Sequence, residues 1–121
     1  MSPSDKDHHR LNYVELSVTD LTESMAFYRS AFGWEFTEYG PQYAGILGAE
    51  GDEVGGLLQV SERRPAGGPF VLLYSVDLDA SVDAVRAAGG TVVNGPYGFP
   101  GGRRFHFTDP SGNELGVWSS T

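Results

Sequence analysis

The sequence predicts an α+β fold made of two tandem β-α-β-β-β modules, on three observations. First, the second half of the chain rewrites the first. From Asp20 it reads Asp-Leu-Thr-Glu-Ser-Met-Ala-Phe-Tyr-Arg-Ser-Ala-Phe-Gly, and from Asp77, 57 positions on, Asp-Leu-Asp-Ala-Ser-Val-Asp-Ala-Val-Arg-Ala-Ala-Gly-Gly. Leu21, Ser24, Arg29, Ala31 and Gly33 thereby coincide with Leu78, Ser81, Arg86, Ala88 and Gly90. Second, in both copies an extended apolar segment precedes the Asp, and an amphipathic stretch of about three turns follows it and stops at glycine. Third, short apolar segments alternate with Gly/Pro turns, and 17 glycines suit many short strands. A repeated unit leaves a seam in the middle of the fold, where pockets form readily.

Residues 1–10 are polar and read as a flexible tail. Residues 11–18 form the first strand, with Val14, Leu16 and Val18 on one side and Tyr13, Glu15 and Ser17 on the other. Asp20 caps a helix over 20–32, because its carboxylate can accept from the free N–H groups of the first turn. Leu21, Met25, Tyr28 and Phe32 share a helix face, and Gly33 can take the left-handed turn that ends it. Strands follow at 34–39, 43–49 and 55–61, which completes a first module over 11–61. Residues 62–69, containing Arg-Arg-Pro-Ala-Gly-Gly-Pro, form the linker. The second module, 70–121, has a strand at 70–76 and a helix at 79–88 that is capped by Asp77 or Asp79 and stops at Gly89-Gly90. Further strands lie at 91–94, 103–108 and 114–118. The Gly/Pro-rich run 95–102 is expected to be a mobile loop, and Asp109-Pro110-Ser111-Gly112 a tight turn.

A length of 121 residues suits one compact domain or two small halves sharing a core. No run approaches the ~18 apolar residues of a membrane span. The N-terminus has no signal-peptide core, so a cytoplasmic location is expected. Without cysteine, disulfides, thiol catalysis and thiolate metal sites are excluded. The formal net charge of −8 argues against nucleic acid or an anionic membrane as partner. No glycine-rich run has the Lys-Ser/Thr context of a phosphate loop, and no serine has a nearby histidine to activate it.

Two sets of runs carry a family likeness. Near the start stand Tyr-Val-Glu-Leu-Ser-Val-Thr-Asp-Leu and Ala-Phe-Tyr-Arg-Ser-Ala-Phe-Gly-Trp. Near the end stand Ala-Ala-Gly-Gly-Thr-Val and Phe-Thr-Asp-Pro-Ser-Gly-Asn-Glu-Leu. In their order and spacing these resemble the vicinal oxygen chelate superfamily, which holds glyoxalase I, extradiol dioxygenases and bleomycin-binding resistance proteins. The resemblance covers residues 11–119. It implies paired modules whose curved mixed sheets enclose a shared cleft, and a homodimer. In metal-dependent members four ligands line that cleft, two from each module, and hold a divalent metal that chelates neighbouring substrate oxygens. Carried over by motif spacing, the four positions are Tyr13, a fourth-strand position near Leu57, Val71 and Gly116. None is a usual ligand. The polar side chains of that fourth strand are Gln59 and Ser61. No cofactor is therefore expected, and a divalent metal is the alternative.

The remaining candidates are few. His8 and His9 lie in the tail, which leaves His106, in the strand Arg-Arg-Phe-His-Phe-Thr, as a half-exposed strand residue or a base beside the pocket. Glu15 shares a face with Tyr13, and Glu114 with Trp118. If the family's ligand faces point into the cleft, these four line it, and the two carboxylates could act as acid and base or bind a cation. The opposite reading puts both at a wet rim, since Glu is rarely buried unpaired. A displaced metal site from Glu15, Glu114 and His106 has no recognised ligand spacing. Tyr97 and Phe99, in the expected loop, are candidate lid residues. The expected ligand-binding set is thus Tyr13, Glu15, Gln59, Tyr97, Phe99, Glu114 and Trp118. The expected function is binding of a small molecule without the metal centre. The alternatives are a metal-dependent, glyoxalase-like lyase, isomerase or dioxygenase, and a metal-free acid–base enzyme using Glu15, Glu114 or His106.

Overall fold

Aspartates start both helices, as their position before an amphipathic run requires. A computed structural model describes residue 8 and residues 11–62 and 70–121. The predicted tail and linker therefore lie, His8 and Glu62 apart, outside the described residues. Asp20 accepts from the Glu23 N–H at 2.9 Å and opens α1 (Leu21–Phe32). Asp77, rather than Asp79, opens α2 (Leu78–Ala87), accepting from the Ala80 N–H at 3.1 Å. Gly33 ends α1 with φ 72°, a conformation that a side chain would strain, and its N–H returns to the Arg29 carbonyl.

The first module consists of β1 (Val14–Val18), α1, β2 (Glu35–Glu38), β3 (Tyr43–Leu47) and β4 (Glu53–Gln59). The second consists of β5 (Leu72–Tyr74), α2, β6 (Thr91–Phe99), β7 (Gly102–Thr108) and β8 (Glu114–Ser119). Each makes its own four-stranded mixed sheet, ordered β1-β4-β3-β2 and β5-β8-β7-β6. The first and last strands of each module run parallel, which needs a crossover, and the helix lies within it.

Strand alternation gives each sheet one apolar face. Leu16, Leu57 and Ala44 align across the first sheet, and Leu73, Val117 and Phe105 across the second. These faces bury Leu21, Met25, Phe27 and Tyr28 of α1 and Leu78, Val82 and Val85 of α2 in one core. The helices pack on each other, and Phe27 reaches Phe107 of the second sheet, ring centroids 6.0 Å apart. The opposite faces of both sheets stay open.

The second module departs from expectation at residues 95–102. They are strand and hairpin rather than a mobile loop: Tyr97 pairs with Arg104, Gly98 with Arg103 and Phe99 with Gly102. Register shifts between Val92 and Asn94, and between Asn94 and Tyr97, take up Gly95-Pro96. Because β6 is an edge strand, a proline without an N–H can sit there at little cost to the ladder. Tyr97 and Phe99 are therefore ladder residues with fixed partners rather than parts of a lid.

Candidate functional site

One cleft, of about 680 Å³, is lined by both modules. Val14, Leu16, Ile46 and Val54 come from the first module, Val71, Leu73 and Leu115 from the second, and Trp34 and Glu35 complete the wall. Several of these are core-face residues, so the cleft lies on the helix side of the sheets. None of the ligand-binding residues expected from the sequence lines it. All of them but Gln59 fall instead on the two open faces, which separates Glu15 from Glu114.

The first open face carries a chain of phenols and carboxylates. Tyr39 donates to Glu53 Oε1 at 2.6 Å and Tyr13 to Glu53 Oε2 at 2.8 Å. The Tyr13 and Tyr43 hydroxyls stand 2.8 Å apart, and Tyr43 donates to Glu15 Oε2 at 2.9 Å. Gly45 and Gly56 make room for it. A Cβ at Gly56 would strike the Tyr43 hydroxyl, and one at Gly45 the Glu53 carboxylate. Three phenol protons serve four oxygen–oxygen contacts, so one contact lacks a hydrogen unless a carboxyl supplies it. Glu53 and Tyr43 complete this face beside the expected Tyr13 and Glu15. They reach this face through the β3–β4 ladder, and no local motif marks them.

The phenols of this cluster, and Tyr28 in the core, hold their protons more tightly than a free tyrosine. Burial, then the bonds with Tyr43 and Glu53, pushes the Tyr13 phenol up. Burial does the same to Tyr43, the bond to Glu53 does it to Tyr39, and burial followed by the Asp109 charge does it to Tyr28. The Tyr39 and Tyr13 hydroxyls hold Glu53 below its ordinary value. A phenol raised in the folded state keeps its proton where the unfolded chain begins to release it, at about pH 10. Its contribution is complete below that pH and is lost as pH rises. Melting temperatures followed from pH ~8 to ~12 should therefore fall above about pH 10, less steeply in Tyr28→Phe. A flat profile would refute the assignment.

The second open face is aromatic around a short polar relay. His106 Nδ1 lies 3.2 Å from Glu114 Oε2, and His106 Nε2 lies 2.9 Å from the Tyr97 hydroxyl. Arg104 donates through Nε to that same hydroxyl. With a neutral ring, Nδ1–H donates to Glu114 and Nε2 accepts the Tyr97 proton. Phe70 packs on His106, centroids 4.5 Å apart. Trp118 touches Tyr74 at 5.0 Å and Phe99 at 6.3 Å. His106, Glu114, Tyr97, Phe99 and Trp118 are thus brought to one surface. Gln59 is not part of either face's network: its Oε1 accepts from the Leu21 N–H at 2.9 Å, at the start of α1.

The positions that the family likeness assigns to metal ligands do not fit a divalent ion. Leu57 is buried in the core, so Gly56 is the fourth-strand residue that faces Tyr13. Val71 belongs to the apolar cleft wall. Beside Gly116, Phe70 and Leu72 fill the space a side chain would take. Tyr13 is spent on Glu53 and Tyr43. Glu15 lies on the other sheet from His106 and Glu114. Among the described residues no group of three or more His, Cys, Asp or Glu side chains could hold a metal.

Comparison with known proteins places this geometry. The family model described as Glyoxalase/Bleomycin resistance protein/Dioxygenase superfamily matches residues 10–117. A Mycobacterium tuberculosis protein named "Putative glyoxylase CFP32" is 30% identical over 117 residues, covering 90% of this chain and 45% of that protein. The chain thus spans less than half the length of that relative. A glyoxalase/bleomycin resistance protein/dioxygenase family enzyme from Burkholderia phytofirmans has the same fold, with TM-score 0.77 and 20% identity, covering 92% of this chain and 98% of the other. TnmS3, described as an antibiotic binding protein from Streptomyces, aligns with TM-score 0.66 and 22% identity, covering 100% and 99%.

Proposed function

The chain belongs to the glyoxalase/bleomycin resistance protein/dioxygenase superfamily, and we propose that within it this protein binds a small molecule without the superfamily's metal centre. The observation that carries this reading is the loss of donors at the metal positions, where Gly56, Val71 and Gly116 offer none. The ligand lies against the open faces, where aromatic surface and polar groups converge. Among the described residues Glu35 is the one charged residue lining the apolar cleft, too little to orient a polar molecule. A fold neighbour described as an antibiotic binding protein supports a sequestering role. Tyr39 and Tyr74, 58% and 57% exposed on the two faces, favour a homodimer in which one copy's first face covers the other's second.

Elemental analysis of the purified protein should find metal well below one ion per chain, and chelator should leave its melting temperature unchanged. A ligand screen should yield compounds that raise it. Stoichiometric metal, with an activity abolished by chelator, would sink the reading. Light scattering should give twice the chain mass.

The Glu114–His106–Tyr97 relay favours a second reading, metal-free acid–base chemistry at the same face. A turnover that survives chelation and falls in Glu114→Gln would select it.

A further inference from the structure

We propose that Arg104 makes the second open face a site for a flat aromatic molecule carrying a carboxylate; this rests on the binding reading above and names the ligand class. Arg104 lies opposite Tyr97 in one ladder and Trp118 in the next, so all three side chains share the open face. Its guanidinium carbon sits 5.4 Å from the Tyr97 ring centroid and 5.5 Å from that of Phe99. Its Nε is spent on the Tyr97 hydroxyl. Among the described residues its two terminal nitrogens have no hydrogen-bond acceptor, and no carboxylate pairs with it. Arg103 turns to the other face and meets Asp79, while Glu114 is taken by His106.

The result is a cation held in place before any ligand arrives. Its long side chain is pinned by Nε and by two rings, so little freedom remains to be lost on binding. A guanidinium stacked on aromatic rings is weakly hydrated, and its free fork matches the two oxygens of a carboxylate. Trp118 and Tyr74, edge to face at 5.0 Å, extend the surface on which a flat ring can lie. A cationic ligand would meet the same charge as repulsion. Among the described residues the acidic group on this face is Glu114, which sits on the far side of the relay from Arg104.

The test compares 2-naphthoate with its neutral amide, 2-naphthamide, by calorimetric titration. The indole N–H resonances of the 15N-labelled protein locate the binding. Naphthoate should bind about ten-fold more tightly or better, as a charge-assisted fork implies. It should shift the Trp118 indole and spare that of Trp34. Arg104→Met should erase the preference of naphthoate over naphthamide, and Arg104→Lys should keep only part of it. Equal affinities in the wild-type protein, or a preference that survives Arg104→Met, overturn the ligand class while leaving the binding reading intact. If neither probe moves Trp118, both fall. If Arg104→Met dissociates a dimer without changing naphthoate affinity, Arg104 belongs to an interface and the proposal is overturned.

Discussion

Replacing Asp109 by alanine is expected to cost on the order of 3–5 kcal/mol, because it strands buried donors from both modules at once. Asp109 is 4% exposed. It accepts from the Tyr28 hydroxyl at 2.9 Å, the Ser111 N–H at 2.9 Å, the Asn113 N–H at 2.8 Å and Asn113 Nδ2 at 3.0 Å. Around it, the Thr19 N–H donates to Ser111 Oγ and Asn113 Nδ2 donates to the Ser17 carbonyl, each at 2.8 Å. The turn from 109 to 113 thus ties the second module to the end of β1 and to α1 of the first. For a domain of this size ~4 °C of melting temperature goes with each kcal/mol, so a fall of more than about 10 °C should appear in thermal melts. Asp109→Asn keeps one acceptor oxygen but turns an amide toward donors, and should fall between the two. A melting temperature for Asp109→Ala within a few degrees of wild type would show that the knot is incidental.

That knot marks the boundary of what the sequence disclosed. Asp20, Gly33 and Asp77 were legible because a cap needs only its own next three or four residues. The two modules and the apolar strand faces followed from periodicity for the same local reason. Asp109-Pro110-Ser111-Gly112 was legible as a turn, but not as a tie. Its partners, Tyr28 for Asp109 and Thr19 for Ser111, lie more than eighty positions away, and only the packed helices bring them near. The site divided along the same line. Glu15 with Tyr13, and Glu114 with Trp118, were paired correctly along their strands by period-two alternation. Whether the two faces meet depends on how the modules pack, and with helices between the sheets they point apart. Residues 95–102 misled because glycine and proline usually end a strand. On an edge strand, bulges let the ladder continue through them. Gln59 looked like a pocket donor, yet its amide serves the first N–H of α1.

Phe27→Ala should cost about as much as the loss of Asp109, by a different route. Phe27 is 2% exposed and joins α1 to both modules. Its ring meets Tyr28 edge-on at 4.9 Å, Phe32 at 6.4 Å and Phe107 of the second sheet at 6.0 Å. The chain leaving α2 comes so close that a Cβ on Gly90 would lie 2.8 Å from the Phe27 ring. Removing the ring leaves a cavity bounded by two helices and a sheet, which cannot all collapse into it, and large-to-small changes of this kind cost ~3–5 kcal/mol. Phe27→Leu refills most of the space and should cost under half as much. Urea unfolding followed by circular dichroism would measure both. The open faces lie on the other side of the sheets from this ring, so folded Phe27→Ala should keep the naphthoate preference of the wild-type protein. Loss of that preference at full folding would mean that the core positions Arg104, and that the two sides of the sheet are not independent.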